Sequence, residues 1–454
     1  MYLIKDILKN KMFNDGKEVC IIAWVKNNRA NNKLGFLDIN DGSVFKNLQV
    51  VYKKENLPNF DEIKSYRTYS AIEIKGNIKI TPDKPQPLEI VATSISLLKD
   101  SDEDFLINNP KLTLDTLRNE AHLRPRTYLF QAIMRLRSAL AFSIHEFMMK
   151  NDFLWVASPL LTTNDAEGAG ETFTLEKIDG SEFFNQKAHL TVTGQLHAEA
   201  YAQAFGKVYT FGPTFRAEKS HTNRHLAEFW MIEPEMSFVD LTGLQNTIEA
   251  LVKYSISYVL EHNLDEITYL NDKIDNTLLA RLKNVVTNDF KRVSYQEAVD
   301  ILSTAIEQNL FDFEDKEMFF GKDLASEHER YLVEHHYQSP VFLYNYPKQI
   351  KAFYMKQNDD ELDTVAATDL LVPGIGELVG GSQREACFSK LKARCEDLNL
   401  PVESLQWYLD LRKYGYYMSS GFGIGFERLV MYVCGLSNIK DTIPFPRSHS
   451  QIGF

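Results

Sequence analysis

Between Gly212 and Glu235 the run GPTFRAEKSHTNRHLAEFWMIEPE gathers two arginines, two histidines and four glutamates around Phe215, Phe229 and Trp230. A guanidinium group matches phosphate oxygens bidentately and a flat aromatic ring can cover a purine, so these residue types suit a polyphosphate nucleotide. An apolar run (Val208, Tyr209, Phe211) leads into the pair Arg216 and Glu218, then a polar stretch to Arg224, then a second strand-like run over 228–238. That pattern predicts a hairpin with Arg216 and Glu228 on neighbouring strands and a mobile basic loop between them. Composition alone leaves open a plain antiparallel hairpin with a solvated, charged tip.

Two further clusters could serve the same chemistry. Asp369 is followed by LLVPGIGE, ending at Glu377, and then by GGSQRE with Arg384. Two carboxylates beside a strand that turns through glycines can hold Mg²⁺, which prefers oxygen ligands and keeps phosphates and water; a Gly-rich turn flanked by acids is the plainer reading. In GFGIGFERLVMYVCGL, glycines at 421, 423 and 425 leave one strand face bare for a flat ligand, and a helix starts near Glu427. Arg428 then sits in a first helical turn, where backbone N–H groups also favour phosphate. The alternative there is a glycine-lined packing seam between strand and helix.

The elements that must carry these groups read as α+β, because strands outnumber helices and neighbouring strands look antiparallel. Apolar Ile133, Leu136, Leu140, Ile144 and Phe147 predict a helix over 127–150, followed by a strand FLWVASP ending at Pro159. A second helix is expected over 241–262, with strands at 341–344, 352–354 and 365–371. Residues 263–335 look mostly helical and charged, like an insertion of unread role. Upstream, five short strands (19–25, 34–39, 48–51, 70–80 and 88–98) follow a short amphipathic helix. They are broken by Asn-Asp-Gly and a Pro-rich turn, which suits a small closed barrel of the OB type or another small β-sandwich. The acidic run 100–104 marks a linker. The division expected is thus 1–104 barrel, 105–126 linker and 127–454 catalytic domain.

With 454 residues, 44% of them hydrophobic, the chain can bury large cores. No stretch approaches a membrane span, and the N-terminal MYLIKDILKNKMF carries lysines instead of a signal-peptide core, so a cytoplasmic protein is expected. Cys20, Cys387, Cys395 and Cys434 form no CxxC pair and are read as reduced, buried thiols. The net charge of −12 argues against general adhesion to nucleic acid, DNA included. Residues 1–99 nevertheless carry 16 Lys and Arg against 11 Asp and Glu, so the basic part of the chain is its N-terminal piece.

FRAE with the returning HLAEFW resembles motif 2 of the class II aminoacyl-tRNA synthetases, GIGFERL resembles their motif 3, and the helix and strand ending at Pro159 resemble motif 1. DAEGAGETF, TVTGQLHAEAYA, VYTFGPTFRAE and GELVGGSQRE narrow the resemblance to the asparaginyl-tRNA synthetase family, with the aspartyl enzymes nearest to it. The likeness spans nearly the whole chain, including the barrel and the ending PFPR. It implies a seven-stranded antiparallel catalytic sheet and a homodimer through motif 1. It also implies a two-step reaction in which L-asparagine and ATP form an adenylate and the acyl group then passes to the terminal adenosine of tRNA(Asn).

Carried over by the resemblance, Arg216 bridges the substrate carboxylate and the α-phosphate, and Glu218 and Phe229 hold the adenine. Leu226 and Gly425 line the ATP site, and Arg224, His225 and Arg428 grip the outer phosphates. Asp369 and Glu377 carry Mg²⁺. Glu167 and Gln195, with Glu233 nearby, receive the α-ammonium, and Arg384 faces the side-chain carbonyl. The aspartyl enzymes place a lysine where Ala198 stands, so a neutral amide is the expected side chain, with Glu228 accepting its NH₂; Ala198 as a mere packing residue is the alternative. In the barrel, Arg29, Phe36 and Gln49 match positions that read the anticodon by stacking and hydrogen bonding. Phe36 could equally be a core residue. The rivals are an aspartyl enzyme, a paralogue that makes asparagine (which normally lacks the barrel) and a catalytically silent tRNA-binding relative.

Overall fold

The computed structural model describes residues 1–9, 15–84, 86–108, 112–163, 172–177, 179–220, 222–359 and 362–453. The chain forms two compact units, Met1–Gln131 and Ala132–Phe454. In the first, β1 (Glu18–Ala30), β2 (Leu34–Asn40), β3 (Leu48–Lys53), β4 (Ala71–Ile80) and β5 (Leu88–Lys99) close into a barrel in the order β1-β2-β3-β5-β4. Alternation along each strand sends Val19, Ile21, Ala23 and Val25 inward with Leu37, Ile39, Val50, Ile72 and Ile74, and the short helix Ile4–Lys9 adds buried Ile4 and Ile7 to this core. Closure leaves no free sheet edge.

The second unit is built on an eight-stranded sheet. In chain order its members and those of a small three-stranded sheet are β6 (Leu154–Trp155), β7 (Leu161–Thr162), β8 (Thr174–Leu175), β9 (Ala188–Leu190), β10 (Lys207–Phe215), β11 (Glu228–Ser237), β12 (Lys291–Ser294), β13 (Val341–Pro347), β14 (Thr364–Val372), β15 (Gly376–Gln383) and β16 (Ser419–Gly425). The large sheet runs β12-β13-β14-β15-β16-β11-β10-β6, and β7-β9-β8 form the small one. Its central pairs are antiparallel, whereas β12 with β13 and β6 with β10 are parallel. Helices Leu241–His262 and Tyr128–Lys150 bury Ile248, Val252, Ile133 and Leu140 along one stripe each, as the helical spacing requires.

Four details depart from expectation. The stretch 263–335 is not wholly helical: Lys291–Ser294 extends the sheet by a strand, and Ser294 then opens the next helix with a reciprocal capping box to Glu297. Residues 352–354 form no strand, because the chain turns there, Met355 N–H bonding back to Ala352 O, and meets the end of β15 only as an isolated bridge: Glu385 N–H donates to Tyr354 O at 2.8 Å and Lys356 N–H to Gln383 O at 2.9 Å. From FLWVASP only Leu154 and Trp155 pair, with Val208 and Tyr209. All four cysteines are free, and Cys395 and Cys434 are buried; Cys387 lies exposed at the start of the helix Phe388–Asp397, so that thiol is not a core residue.

In the barrel Gly35 faces Tyr52 across β2 and β3, and the Tyr52 ring lies over the bare Cα with its hydroxyl donating to Asn28 Oδ1 at 2.8 Å. Gly35→Ala would push a methyl into that ring. The expected loss is about 1–3 kcal/mol, the usual range for overpacking, read as a lower urea midpoint; an unchanged midpoint would show that the ring can move aside freely.

Candidate active site

The hairpin β10–β11 lies in the middle of the functional surface. Phe215 pairs with Glu228, and Arg216 N–H continues the ladder to Ala227 O at 3.0 Å. Along β11 alternate side chains face one way, so Phe229, Met231, Glu233 and Glu235 line cavities on the same sheet face. Glu228 has the opposite parity and falls with Trp230 and Ile232, away from both cavities. Its expected contact with a substrate amide is therefore corrected: a period of two places Glu235 in that cleft, and not Glu228.

Three connected hollows follow from this arrangement. The first, about 180 Å³, is lined by Glu218, Arg224, His225, Leu226, Phe229, Gly425 and Arg428. The second, about 280 Å³, holds Gln195, Glu233, Glu235 and Arg384. Arg216, Met231, Glu377 and Gly423 line both, so this junction is where groups from the two hollows can meet. A third, about 370 Å³, continues outward past Arg224, His225, Arg428, Glu329, Lys351, Asp369 and Glu377.

In the first hollow the Arg216 guanidinium stands 5.4 Å from the Phe229 ring centre, and both side chains line the space. Burial lowers the His225 pKa, and the cations Arg428, Arg216 and Arg224 reinforce this while Glu218 opposes it; the ring is neutral near pH 7. Its Nδ1 lies 3.0 Å from Ser220 Oγ, and Arg224 Nη1 donates to Ser326 Oγ at 3.3 Å, which ties the basic loop to the helix Ser326–Arg330. Arg428 occupies the first turn of the helix Phe426–Cys434, with Nη1 3.7 Å from Glu377 Oε2. Glu427 beside it is structural. Its carboxylate accepts Trp230 N–H at 2.9 Å and meets Arg137 Nη2 at 2.7 Å, joining three elements that the sequence separates widely.

The floor of the second hollow is a set of paired, buried charges. Arg384 meets Glu235 through two guanidinium N–H groups, one of them at 3.1 Å. Burial opposes the charge on Arg384, but Glu235 and Glu199 more than offset it and hold the guanidinium above its usual pKa. Burial also pushes the Glu235 carboxyl up, with Glu199 and Glu233 adding to the effect. Both of its oxygens nevertheless accept N–H bonds, the geometry of an ionised acid. Glu233 accepts Gly194 N–H at 2.9 Å and Thr210 Oγ1 at 2.8 Å, as well as the Thr193 hydroxyl. Gln195, at the start of the helix Gln195–Phe205, donates to Glu199 Oε1 at 3.1 Å. Ala198 does not line the hollow: it is fully buried in an apolar cluster with Ala202 and Val208, which favours the packing reading over a direct part in substrate choice. Glu167 lies outside the described residues.

Asp369 and Glu377 converge at Gly380, where an added Cβ would stand 3.4 Å from one carboxylate and 3.1 Å from the other. Lys351 Nζ pairs with Asp369 Oδ2 at 2.6 Å. Glu329 joins them from the stretch whose role the sequence did not disclose. It accepts Glu377 N–H at 3.2 Å, and Glu334 accepts Gly374 N–H at 2.7 Å, so this helical segment pins the turn between β14 and β15. Burial and the charges of Glu377 and Asp369 push Glu329 up to about 8. Its recess in the cleft and the charge of Asp369 likewise raise Glu377, against Arg428, Lys351 and Arg216. Among the described residues no group of three or more His, Cys, Asp or Glu side chains has metal-holding geometry, so a cation here would rest on the Asp369–Glu377 pair.

In the barrel, Arg29 pairs with Phe36 across β1 and β2, with the guanidinium 6.0 Å from the ring and 3.6 Å from Asp38. Asp38 in turn faces Gln49, whose amide donates to Glu89 at 3.3 Å. Phe36 is half-exposed on the outer face and has no part in the barrel core.

Residues 113–449 match the family of tRNA synthetases class II (D, K and N), and residues 19–98 match an OB-fold nucleic acid binding domain. The chain belongs to this class II tRNA synthetase family. It is 61% identical over 440 residues to the asparagine–tRNA ligase of Ureaplasma urealyticum serovar 10, covering 97% of this chain and 96% of that protein. It is 50% identical over 453 residues to the asparagine–tRNA ligase of Mycoplasmoides gallisepticum, covering 99% of each. The fold matches the asparaginyl-tRNA synthetase of Pyrococcus horikoshii complexed with asparaginyl-adenylate, with a TM-score of 0.87, 34% identity and 99% of each chain covered. The eight-stranded sheet is one strand larger than the resemblance implied, the addition of β12 or β6 at an edge accounting for the difference.

Gly421 shows how tightly the charged floor is fitted. The space where a side chain would start is filled by the Glu235 carboxylate from the adjacent strand, not left bare for a ligand; at Gly423 the nearest group is Met231 Cε, 2.8 Å from the ideal Cβ position. Gly421→Ala would displace Glu235 and loosen Arg384. The expected result is a KM for the amino acid raised about tenfold or more in pyrophosphate exchange, the scale of one lost charge-assisted hydrogen bond, with the KM for ATP little changed. Equal changes in both would mean that the whole cleft, not its floor, depends on Gly421.

Proposed function

We propose that this protein activates L-asparagine with ATP and transfers the asparaginyl group to the 3′-terminal adenosine of tRNA(Asn). The observation that carries this reading is the side-by-side presence of a guanidinium donor, Arg384, and a carboxylate acceptor, Glu235, at the floor of the second hollow. A side-chain amide has one acceptor and one donor end and satisfies both; a carboxylate would leave Glu235 facing a like charge.

Activation needs alignment and charge neutralisation more than a base, because the attacking carboxylate is already ionised. Its oxygen bonds to the α-phosphorus as the bond to the pyrophosphate leaving group breaks. Arg216, at the junction of the two hollows, neutralises the carboxylate and the phosphoryl oxygens together. Phe229 and Glu218 hold the adenine by stacking and hydrogen bonding, beside Leu226 and Gly425. Arg224, His225 and Arg428 face the outer phosphates. Gln195 and Glu233 receive the α-ammonium. A ribose hydroxyl of the tRNA's 3′-terminal adenosine then attacks the acyl carbon and gives up its proton as the bond from that carbon to the phosphate oxygen breaks and AMP leaves.

Asp369 and Glu377 would hold Mg²⁺. Both carboxylates open on the recess beside Gly380, and two protein ligands suit an ion that completes its shell with phosphate oxygens and water. When bound, the ion screens the polyphosphate charge.

A homodimer is supported by exposed apolar residues on the second unit: Phe142 and Met149, two turns apart on the helix Tyr128–Lys150, and Leu154 and Trp155 of the edge strand β6 are 46–74% exposed. The outward Arg29, Phe36 and Gln49 support anticodon binding by the barrel. No helix among the described residues is long and apolar enough to cross a membrane, and tRNA as substrate supports a cytoplasmic site of action.

Pyrophosphate exchange with asparagine and aspartate supplied separately tests the main reading: asparagine should drive exchange, and preference for aspartate would overturn it. Arg216→Ala should slow the asparagine-dependent reaction by about 10²-fold or more, by analogy with removing one preorganised oxyanion donor; near-normal exchange would remove Arg216 from that role. Phe36→Ala should weaken tRNA charging by the equivalent of about 1–3 kcal/mol, one stacked base, with adenylate formation intact. Equal loss in both steps would make Phe36 structural.

A further inference from the structure

Glu199 belongs to no hollow, yet it accepts more hydrogen bonds than any ligand-facing carboxylate in the cleft. It lies one turn after Gln195 on the same helix and is wholly buried. Its two oxygens accept Gln195 Nε2 at 3.1 Å, the Tyr408 hydroxyl at 2.8 and 2.9 Å, Arg412 Nη2 at 3.0 Å and the Tyr416 hydroxyl at 3.2 Å. Arg384 Nε stands 3.7 Å from Oε1. Arg412 is equally enclosed, and its remaining donors go to Glu385 O at 3.0 Å and Tyr408 O at 3.2 Å.

An amide keeps one acceptor here: its oxygen can still receive Tyr408, Arg412 and Tyr416 while its NH₂ meets Gln195, whose own amide can turn its oxygen towards it, so the hydrogen bonds alone do not require an acid. What an acid adds is charge, and charge is costly to bury unless it balances another. On the floor of the second hollow stand Arg384 and Glu235, and directly behind them Arg412 and Glu199: two guanidinium groups and two carboxylates, each side chain no more than 3% exposed. The set is neutral only with Glu199 ionised. Glu233 is the remaining carboxylate of the second hollow, and its oxygens are bound by Gly194, Thr210 and Thr193 on the side proposed for the α-ammonium.

We infer that Glu199 is a specificity-determining positioning residue: its buried negative charge cancels the excess cation of the Arg384–Arg412 pair, so that the floor accepts an uncharged side-chain amide and rejects the isosteric carboxylate. This inference rests on the asparagine reading and assigns the discrimination to net charge beneath the pocket, not to the contact surface alone. Replacing the acid by its amide leaves a floor carrying one unbalanced positive charge, which a substrate carboxylate can neutralise. Removing the Arg412 charge has the opposite sign.

The test is the ratio of kcat/KM for asparagine to kcat/KM for aspartate in pyrophosphate exchange by the full chain, for wild type, Glu199→Gln, Arg412→Gln and the double variant, with KM for ATP and urea midpoints followed alongside. Glu199→Gln should lower the ratio about tenfold or more, because an unbalanced buried cation favours a ligand that carries the opposite charge, while KM for ATP stays near wild type. Arg412→Gln should raise the ratio, and the double variant should return towards wild type because the floor is again balanced. A parallel fall with both amino acids and an unchanged ratio in Glu199→Gln would overturn the inference, as would single variants that shift the ratio the same way or a double variant worse than either. Wild type lacking any preference for asparagine would overturn the asparagine reading itself, and the inference with it.

Discussion

The bidentate pairing of Arg384 with Glu235 is the interaction on which the cleft depends. Neither charge has solvent to turn to, so each is tolerable only because the other is held in place. That requirement propagates outward. Glu235 needs the space beside Gly421 on the neighbouring strand, so a residue with any side chain would break the fit. Arg384 is backed by Glu199, which draws in Tyr408, Arg412 and Tyr416 from the far end of the chain. A single ion pair thereby fixes β11, β15, β16, a helix before the hairpin and the segment after residue 408 in one arrangement.

The hairpin strand β11 is the second constraint. A strand alternates its side chains, and this one uses that alternation to carry an aromatic ring, a thioether and two acids from the first hollow to the second on one face. Its edge is held through the Trp230 backbone amide by Glu427, which also engages Arg137. The three segments that resemble the class II motifs thus meet at one carboxylate. Their spacing in sequence says nothing of that meeting.

Much of the fold was legible where the pattern is local. The five barrel strands emerged within a few residues of their observed ends, because a barrel strand buries every second residue and is bounded by turn-forming Asn, Gly and Pro. The helix over 241–262 was readable for the corresponding reason at helical period. What could not be read were elements defined by partners: Lys291–Ser294 is four residues long with a single buried side chain, and it is a strand only because β13 lies beside it. Residues 352–354 have a strand-like composition but turn, with Met355 N–H bonding back to Ala352 O, and of the three only Tyr354 meets the end of β15, through Glu385 N–H. In the site, Glu235 was within reach of sequence reasoning, since counting parity from Phe229 selects it over Glu228. Glu329 carries no local signal at all and enters the cleft solely because its helix packs against the β14–β15 turn.

The sequence by itself determined the chemistry of this protein: the arginines, acids and glycines of its motifs stand in short segments whose order and spacing survive without coordinates, and hydrophobic periodicity marked most of the elements that hold them. The tertiary structure alone decided which charges face one another. Ala198 turned out to be packing, Gly421 the seat of a carboxylate, and Glu199 the counter-charge to two arginines more than 180 residues away. The physical reason is that propensity and alternation act over a few residues, whereas the balance of buried charge is struck between side chains that only folding brings within hydrogen-bonding distance.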